Sequence, residues 1–188
     1  MTRQLILASG SPRRIELLAL VTSSFVSVPS RVEETLSGAP EAAVLAVARA
    51  KADAVAGRRS GLIIAADTVV EHEGELLGKP PDRPAATWML ERLSDAEHRV
   101  LTGVVILSSP DGARCEAVEE TRVRFRELEP WEIDRYLNSG GYRNAAGAYA
   151  IQDASASFVE RIEGDYYNVV GLPVCRLTLM LRRMGWCV

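Results

Sequence analysis

The sequence of 188 residues has few of the side chains that build disulfide frameworks or soft-metal sites. Its three cysteines, Cys115, Cys175 and Cys187, are odd in number and widely spaced, which favours neither a disulfide framework nor a zinc site. With only His72 and His98, a histidine-based metal site is not indicated, and both histidines are expected at the surface. If the chain uses a metal, carboxylates must bind it, and this favours a hard cation such as Mg²⁺.

A strong charge excess and a long apolar run are also absent. The net charge of −3 gives no basic footprint of the kind that nucleic-acid binding requires. No apolar stretch approaches the roughly 20 residues that cross a bilayer, and the first residues lack the layout of a signal peptide. We therefore expect a cytoplasmic protein without nucleic-acid or membrane partners, folded as a single domain over residues 1–188.

The order of predicted elements indicates an α/β fold with a mixed sheet. Apolar runs, Gly and Pro predict strands near 3–8, 24–30 and 61–70 and helices near 12–20 and 40–57. Further along the chain, the same signals predict helices at 82–94, at 129–140 and from Pro173, and two long strands joined by the turn at 110–112. A second hairpin is expected around Gly164. Two hairpins among alternating strands and helices imply a mixed sheet flanked by helices.

The opening stretch LILASGSPRRIELL, residues 5–18, predicts a strand, a short loop and a helix start. Pro12 suits the first helical turn, and Ser11 could cap that helix. Arg13 and Arg14 in this turn oppose the helix dipole unless an anion binds there, so the stretch predicts a phosphate site. The alternative is an ordinary strand–turn–helix connection with two solvated arginines.

Asp67 is the clearest anomaly, because a carboxylate in a buried apolar strand is costly unless it is paired or bound to metal. Val69 and Val70 follow it, so a bend in the strand is expected near Asp67. The alternative is an Asp satisfied by backbone N–H groups. Glu33 and Glu34 form either a solvated acidic pair or, with Asp67, a source of oxygen ligands for Mg²⁺.

Other candidates are individually unspecific. Lys51 is expected on the polar face of an alanine-rich helix, Lys79 in an irregular loop, and Gln152 in a close-packed loop. The chain has neither a nucleophile–histidine pair nor a Walker-type Gly-x-x-x-x-Gly-Lys run. Basic residues combined with carboxylates therefore favour phosphoryl chemistry, which depends on positioning and charge neutralisation.

Five motifs, LILASGSPRRIELL, AADTVV, GKPPD, AGAYAIQ and EGDYYNVVGLP, occur in the order and spacing of the Maf family of nucleoside triphosphate pyrophosphatases. The resemblance runs from Leu5 to about Leu181. It implies an α/β fold with two lobes around a central cleft, similar to the inosine triphosphatase architecture. It also implies hydrolysis of a nucleoside triphosphate to the monophosphate and pyrophosphate with Mg²⁺ or Mn²⁺, and a homodimer.

The same resemblance assigns roles to individual residues. Asp67 matches the proposed general base. The positions that separate the substrate subclasses are Arg13, Thr68 and Gln152, and this pattern resembles the dTTP/UTP subclass. The resemblance implies that the phosphates are bound by Ser9, Arg14, Lys51 and Lys79. It implies that the metal is bound by Glu34 and Asp67.

Two positions depart from the family pattern. Ala145 stands where a Lys often precedes AGAY, and Arg143 two residues upstream is the nearest replacement for that charge. Asp153 stands where a Gly usually follows the Gln, beside the expected base pocket. Two alternatives to the dTTP/UTP enzyme stay open. One is a nucleotide-sensing regulator of septum formation with weak turnover, and the other is a 7-methyl-GTP-type pyrophosphatase.

Overall fold

Strands and helices alternate along residues 3–186, the part of the chain that the computed structural model describes. The strands are β1 Leu5–Leu7, β2 Phe25–Ser27, β3 Gly61–His72, β4 Glu75–Leu77, β5 Glu97–Ser109, β6 Arg114–Phe125 and β7 Val159–Glu163. The α-helices are α1 Pro12–Ala19, α2 Pro40–Ala56, α3 Arg83–Leu93, α4 Pro130–Ser139, α5 Tyr166–Val170 and α6 Val174–Arg183. Three short 3₁₀ turns lie between α4 and β7, at Gly141–Asn144, Ala146–Ala148 and Ala154–Phe158.

The strands form a mixed sheet in the order β2-β1-β3-β5-β6-β7, with β4 paired to β3. β1 runs parallel to β2 and to β3, and Leu7 lies opposite Ile64 of β3. β3 and β4 are antiparallel, as are β6 and β7. The predicted α/β fold with a mixed sheet is confirmed. No helix among residues 3–186 combines the length and apolar character that a membrane span needs.

The chain divides into two compact units. Within the described residues, the first unit contains 3–67, 102–119 and 171–186, and the second contains 68–101 and 120–170. The strands β3, β5 and β6 each contribute residues to both units. A single domain over residues 1–188 stays a prediction.

The core of the first unit fixes α2 against β3. Ile63 and Ala65 share one face of β3, because side chains two apart on a strand point the same way. They pack with a stripe on α2 that includes Ala48 and Ala52. Gly103 of β5 allows α2 to approach closely, since a Cβ there would lie 2.7 Å from the Val44 carbonyl carbon. These contacts determine which face of α2 is buried.

The core of the second unit is rich in aromatic side chains, and one glycine fixes its loop. Phe125 packs edge-to-face against Tyr149 and Phe158, with ring centroids 4.8 and 6.0 Å apart. Gly147 has φ 66°, and a Cβ there would lie 2.7 Å from Val70 Cγ2. A larger residue at 147 would therefore push the 146–152 segment away from β3.

The predicted hairpin around Gly164 is wrong, because the chain after β7 forms the helix α5. Asp165 Oδ1 accepts a hydrogen bond from Tyr167 N at 2.8 Å, which satisfies an N–H group at the helix start. Asn168 is fully buried, and its amide donates to Val100 O and Thr121 Oγ1, both at 3.0 Å. These bonds stabilise a helix where a second strand was expected.

The expectation that both histidines lie at the surface is also wrong. His98 is 2% exposed, and its Nε2 lies 2.8 Å from the Tyr149 hydroxyl. Burial, with a smaller contribution from His72, lowers the pKa of His98 to about 3, so this ring is neutral at pH 7. His72 is buried too, with Nδ1 3.1 Å from Glu97 O. Cys115 and Cys175 carry free thiols, and Cys187 lies outside the described residues.

Candidate active site

Asp67 lies inside a continuous strand. The expected bend is wrong, since β3 runs unbroken from Gly61 to His72. Asp67 follows Ile63 and Ala65 at two-residue intervals, so it continues the face of β3 that packs on α2. Only 5% of Asp67 is exposed. A carboxylate at this depth needs a partner.

That partner is Lys51, on the buried face of α2. The expectation that Lys51 lies on the polar face is wrong, since it is 4% exposed and lies one turn from Ala48 and Val55 along the buried stripe. The sequence does not show which face of α2 is buried, because alanines occur on several faces of this helix. The Lys51 stem fills apolar space, and its ammonium reaches the carboxylates.

Lys51 Nζ joins two acidic side chains. It lies 2.7 Å from Asp67 Oδ1 and 2.6 Å from Glu34 Oε1. Asp67 is buried with Lys51, whereas the Glu34 side chain is one-third exposed. Two carboxylates and one ammonium carry one negative charge in excess when all three are ionised, and the buried Arg14 guanidinium, which interacts electrostatically with both carboxylates, offsets it.

Glu34 and Asp67 fit the chemistry of a hard divalent cation. Both present carboxylate oxygens to one ammonium, so these oxygens are close neighbours. Mg²⁺ in proteins commonly takes one or two carboxylates and completes its shell with water and substrate phosphates. No group of three or more His, Cys, Asp or Glu among residues 3–186 could hold a metal by itself. Two carboxylates are therefore what this site offers.

The loop after β1 lies at the carboxyl end of a parallel strand, where α/β proteins commonly bind ligands. Pro12 occupies the first turn of α1, as predicted. Among the described contacts, the Ser11 side chain makes no cap hydrogen bond, so that expectation is wrong. The Ser11 N–H donates to Ser9 Oγ at 3.2 Å, and the Ser27 hydroxyl donates to Ser9 O at 2.6 Å. Ser9 itself is buried.

Arg14 is held by a backbone carbonyl. Its Nε donates to Gly171 O at 2.9 Å. Burial lowers the pKa of Arg14, and the charges of Asp67 and Glu34 partly oppose this shift, while Arg13 adds to it. Arg14 thus shares an electrostatic environment with the carboxylates that bind Lys51. The structure brings Arg14 into the neighbourhood of Glu34, Lys51 and Asp67.

Thr68, Lys79 and Gln152 belong to the second unit. Thr68 directly follows Asp67 on β3 and is half-buried, while Lys79 and Gln152 are exposed. Gln152 lies in a turn closed by a hydrogen bond from Asp153 N to Ala150 O at 3.0 Å. Grouping these three with the residues of the first unit in one site stays a prediction.

Some contacts within each of the two units were not predicted from the sequence. The Gly171 carbonyl holds Arg14, and its only signal was the GLP motif, to which no role was assigned. Tyr136 and Ser155 bind the two backbone groups of Ala150, at 3.2 and 2.7 Å. Arg143, the nearest replacement for the missing Lys, lies 5.9 Å above the Tyr142 ring.

Comparison with known proteins places the chain among close relatives. A family described as Maf-like protein matches residues 4–184. A protein of Geobacillus sp. (strain WCH70) named dTTP/UTP pyrophosphatase is 47% identical, over 98% of this chain and all of its own. Proteins of the same name from Salinibacter ruber and Thermococcus gammatolerans are 50% and 45% identical, over 95% and 97% of this chain and 89% and 97% of theirs.

Proposed function

This chain belongs to the Maf family, and from that premise we propose that it is a nucleoside triphosphate pyrophosphatase that hydrolyses dTTP and UTP to the monophosphate and pyrophosphate. The observation that carries this proposal is the buried Lys51 that joins Asp67 and Glu34. Relatives of nearly the same length named dTTP/UTP pyrophosphatase support the substrate class.

Asp67 acts as the general base in the proposed reaction. Its carboxylate accepts a proton from a water molecule, whose oxygen bonds to the α-phosphorus. The bond between that phosphorus and the oxygen bridging to the β-phosphorus breaks, and pyrophosphate leaves with the electron pair. Lys51 orients the base by holding Oδ1 at 2.7 Å. General-base assistance of this kind contributes about 10²–10⁴-fold.

Glu34 and Asp67 would hold the divalent cation, Mg²⁺ or Mn²⁺. When bound, the ion would neutralise charge on the triphosphate and the leaving pyrophosphate. Ser9, Arg14, Lys51 and Lys79 are proposed to bind the phosphates. Arg14 supports this role, because the Gly171 carbonyl fixes its Nε and its neighbours are the acidic residues of the same cluster.

Gln152 reads the base in this proposal. Its amide offers an N–H donor to O4 of uracil or thymine and a carbonyl acceptor to the N3–H group. Arg13 lies near the base or its phosphates in this proposal, and Thr68 supports the pocket. A Glu at 152 would have only acceptors when ionised and would face O4 unfavourably, so the two side chains favour different bases.

Three further predictions belong to the proposal. The chain works as a single domain over residues 1–188, it forms a homodimer, and it is cytoplasmic. The family match over residues 4–184 supports the first. Sedimentation of the purified chain with and without nucleotide tests the second.

Pyrophosphate release from UTP, dTTP, GTP and 7-methyl-GTP, with Mg²⁺ or Mn²⁺, tests the proposed function. We expect UTP and dTTP to have the highest kcat/KM, and Gln152→Glu to lower turnover of these two more than turnover of GTP. A wild-type preference for 7-methyl-GTP, or an unchanged UTP-to-GTP ratio in Gln152→Glu, would contradict the base assignment. Tight nucleotide binding without product would favour the regulatory alternative.

A further inference from the structure

The turn that carries Gln152 is held by a network within the second unit, and Asp153 is part of it. We propose that Asp153 is a positioning residue that locks this turn and thereby sharpens selection of the pyrimidine base. This inference rests on the proposed function, in which Gln152 reads the base. It concerns a residue of this chain that stands where the Maf resemblance leads one to expect glycine.

The turn is a closed loop of four residues. Asp153 N donates to Ala150 O at 3.0 Å, which joins the first residue of the turn to the fourth. Gln152 is the third residue of this turn and its side chain is exposed. The hydrogen bond between Asp153 N and Ala150 O therefore fixes the backbone from which the Gln152 side chain extends. A Gln that must present both its donor and its acceptor to one base edge needs a fixed backbone.

Buried side chains hold the first residue of the turn. The Tyr136 hydroxyl accepts from Ala150 N at 3.2 Å, and the Ser155 hydroxyl donates to Ala150 O at 2.7 Å. Ser155 is fully buried and Tyr136 is 3% exposed. Both backbone groups of Ala150 are therefore satisfied by buried hydroxyls, and the position of Ser155 decides the position of the turn.

Asp153 in turn fixes Ser155. Its Oδ1 accepts from the Ser155 N–H at 3.1 Å and lies 3.2 Å from the Ser155 hydroxyl, at the start of the 3₁₀ turn Ala154–Phe158. The hydroxyl has one hydrogen, and its shorter bond goes to Ala150 O, so the N–H bond is the one through which Asp153 acts. Gly141 leaves room for the carboxylate, since a Cβ there would lie 2.6 Å from Asp153 Oδ2.

Loosening the turn lowers the fraction of molecules in which Gln152 is ready to bind the base. Apparent affinity falls in proportion to that fraction. Losing one cap typically shifts a local equilibrium roughly fivefold, and this is the upper limit for the fall in the competent fraction. A nucleotide that does not use the Gln152 donor–acceptor pair loses nothing, so selectivity falls together with affinity.

The experiment compares Asp153→Ala with Asp153→Asn, because Asn keeps the Oδ1 acceptor and removes only the charge. Steady-state kinetics with UTP and with GTP give KM, kcat and the ratio of kcat/KM values. Hydrogen exchange of the 150–156 amides gives the stability of the turn itself. The matched control is Asp82→Ala, which removes another Asp cap, from Ala85 N at 2.8 Å.

We expect Asp153→Ala to raise KM for UTP and to lower the UTP-to-GTP ratio, each by up to about fivefold, with kcat unchanged and exchange of the 150–156 amides faster. Asp153→Asn and Asp82→Ala should keep the wild-type ratio. The inference is overturned if Asp153→Ala keeps both the ratio and the exchange rates, or if Asp153→Asn changes the ratio as much as alanine does, since charge would then be the cause.

Failure of this inference is distinguishable from failure of the proposed function. If Gln152→Glu changes base preference and Asp153→Ala does not, only the role of Asp153 is overturned. If the wild-type protein shows no pyrimidine preference, the proposed function fails and the selectivity role of Asp153 falls with it. The exchange rates still decide whether Asp153 holds the turn.

Discussion

Among the individual residues of the candidate site, Asp67 and Lys51 form a buried ion pair. Each is nearly inaccessible to solvent, so breaking the pair would leave an uncompensated buried charge. Glu34 shares the ammonium and is partly exposed, which leaves one side of the group accessible. Lys51 orients the Asp67 carboxylate, and the partly exposed Glu34 lets water approach the group. This arrangement suits a general base that activates a water molecule.

Asp67→Asn should remove the base while leaving the fold intact. The amide oxygen of Asn can still accept a hydrogen bond from Lys51, whose ammonium also keeps Glu34. We expect kcat for UTP to fall by about 10²–10⁴-fold. Pyrophosphate release gives the rate, and a circular dichroism melt of the variant provides the control for folding. Near-normal turnover would remove Asp67 from the role of base.

The sequence indicated Asp67 but not the placement of Lys51. A carboxylate within an apolar strand is an anomaly that one residue shows alone. Lys51 lies in a helix whose many alanines define no single apolar face. A composition signal was nevertheless present, because only Lys51 and Lys79 among the 22 basic residues are lysines. The lysine ammonium is a compact charge on a flexible stem, which lets Lys51 contact two carboxylates at once.

At the scale of elements, local signals predicted most helices and strands. Pro12, Pro40 and Pro130 each occupy the first turn of a helix, and β3 follows the long apolar run. The segment after Gly164 was different, because aromatic and β-branched residues there predict a strand. The Asp165 hydrogen bond to Tyr167 N and the buried Asn168 amide bonds outweigh that propensity.

The start of α4 makes a pH-dependent contribution to stability. Hydrogen bonds from Arg126, at 2.7 and 2.9 Å, and from Glu129 N lower the pKa of Glu132 to about 2 from its ordinary 4.5. A carboxyl whose pKa is lower in the folded state stabilises the fold above pH 4.5, and this contribution is lost as the pH falls towards 2.

Glu132→Gln should therefore make the free energy of unfolding depend less on pH below 4.5. Urea unfolding between pH 4.5 and 2 measures it, with the wild type losing more unfolding free energy than the variant over this interval. At neutral pH, Glu132→Gln should be the less stable protein. Parallel curves for the two proteins would show that the bonds to Arg126 and Glu129 contribute nothing to this dependence.

At the scale of the whole molecule, the sequence predicted the family more readily than the geometry of the site. Motifs spread from Leu5 to Leu181 identify the Maf family, and the match over residues 4–184 confirms it. Convergence of Glu34, Lys51 and Asp67 depends on the register of β3 and on the close packing of α2 at Gly103. Local periodicity carries no information about such long-range packing.

Divalent cations should bind the folded chain through Glu34. A ligand that binds only the folded state stabilises it by RT ln(1 + [L]/Kd), so the melting temperature rises with ligand concentration and affinity. We expect Mn²⁺ to raise the melting temperature of the wild type and to have a smaller effect on Glu34→Gln. Arg49→Gln, which removes a surface ion pair with Glu116, is the control. Equal shifts in wild type and Glu34→Gln would contradict the assigned ligand.

In the proposed reaction, water attacks the α-phosphorus of UTP or dTTP. Hydrolysis of UTP by the wild-type protein in ¹⁸O-enriched water, followed by mass spectrometry of both products, shows which phosphorus the water attacks. We expect one ¹⁸O atom in UMP and none in pyrophosphate, because the new bond forms at the α-phosphorus and the bridging oxygen leaves with the β-phosphorus. Label in pyrophosphate, with unlabelled UMP, would contradict attack at the α-phosphorus.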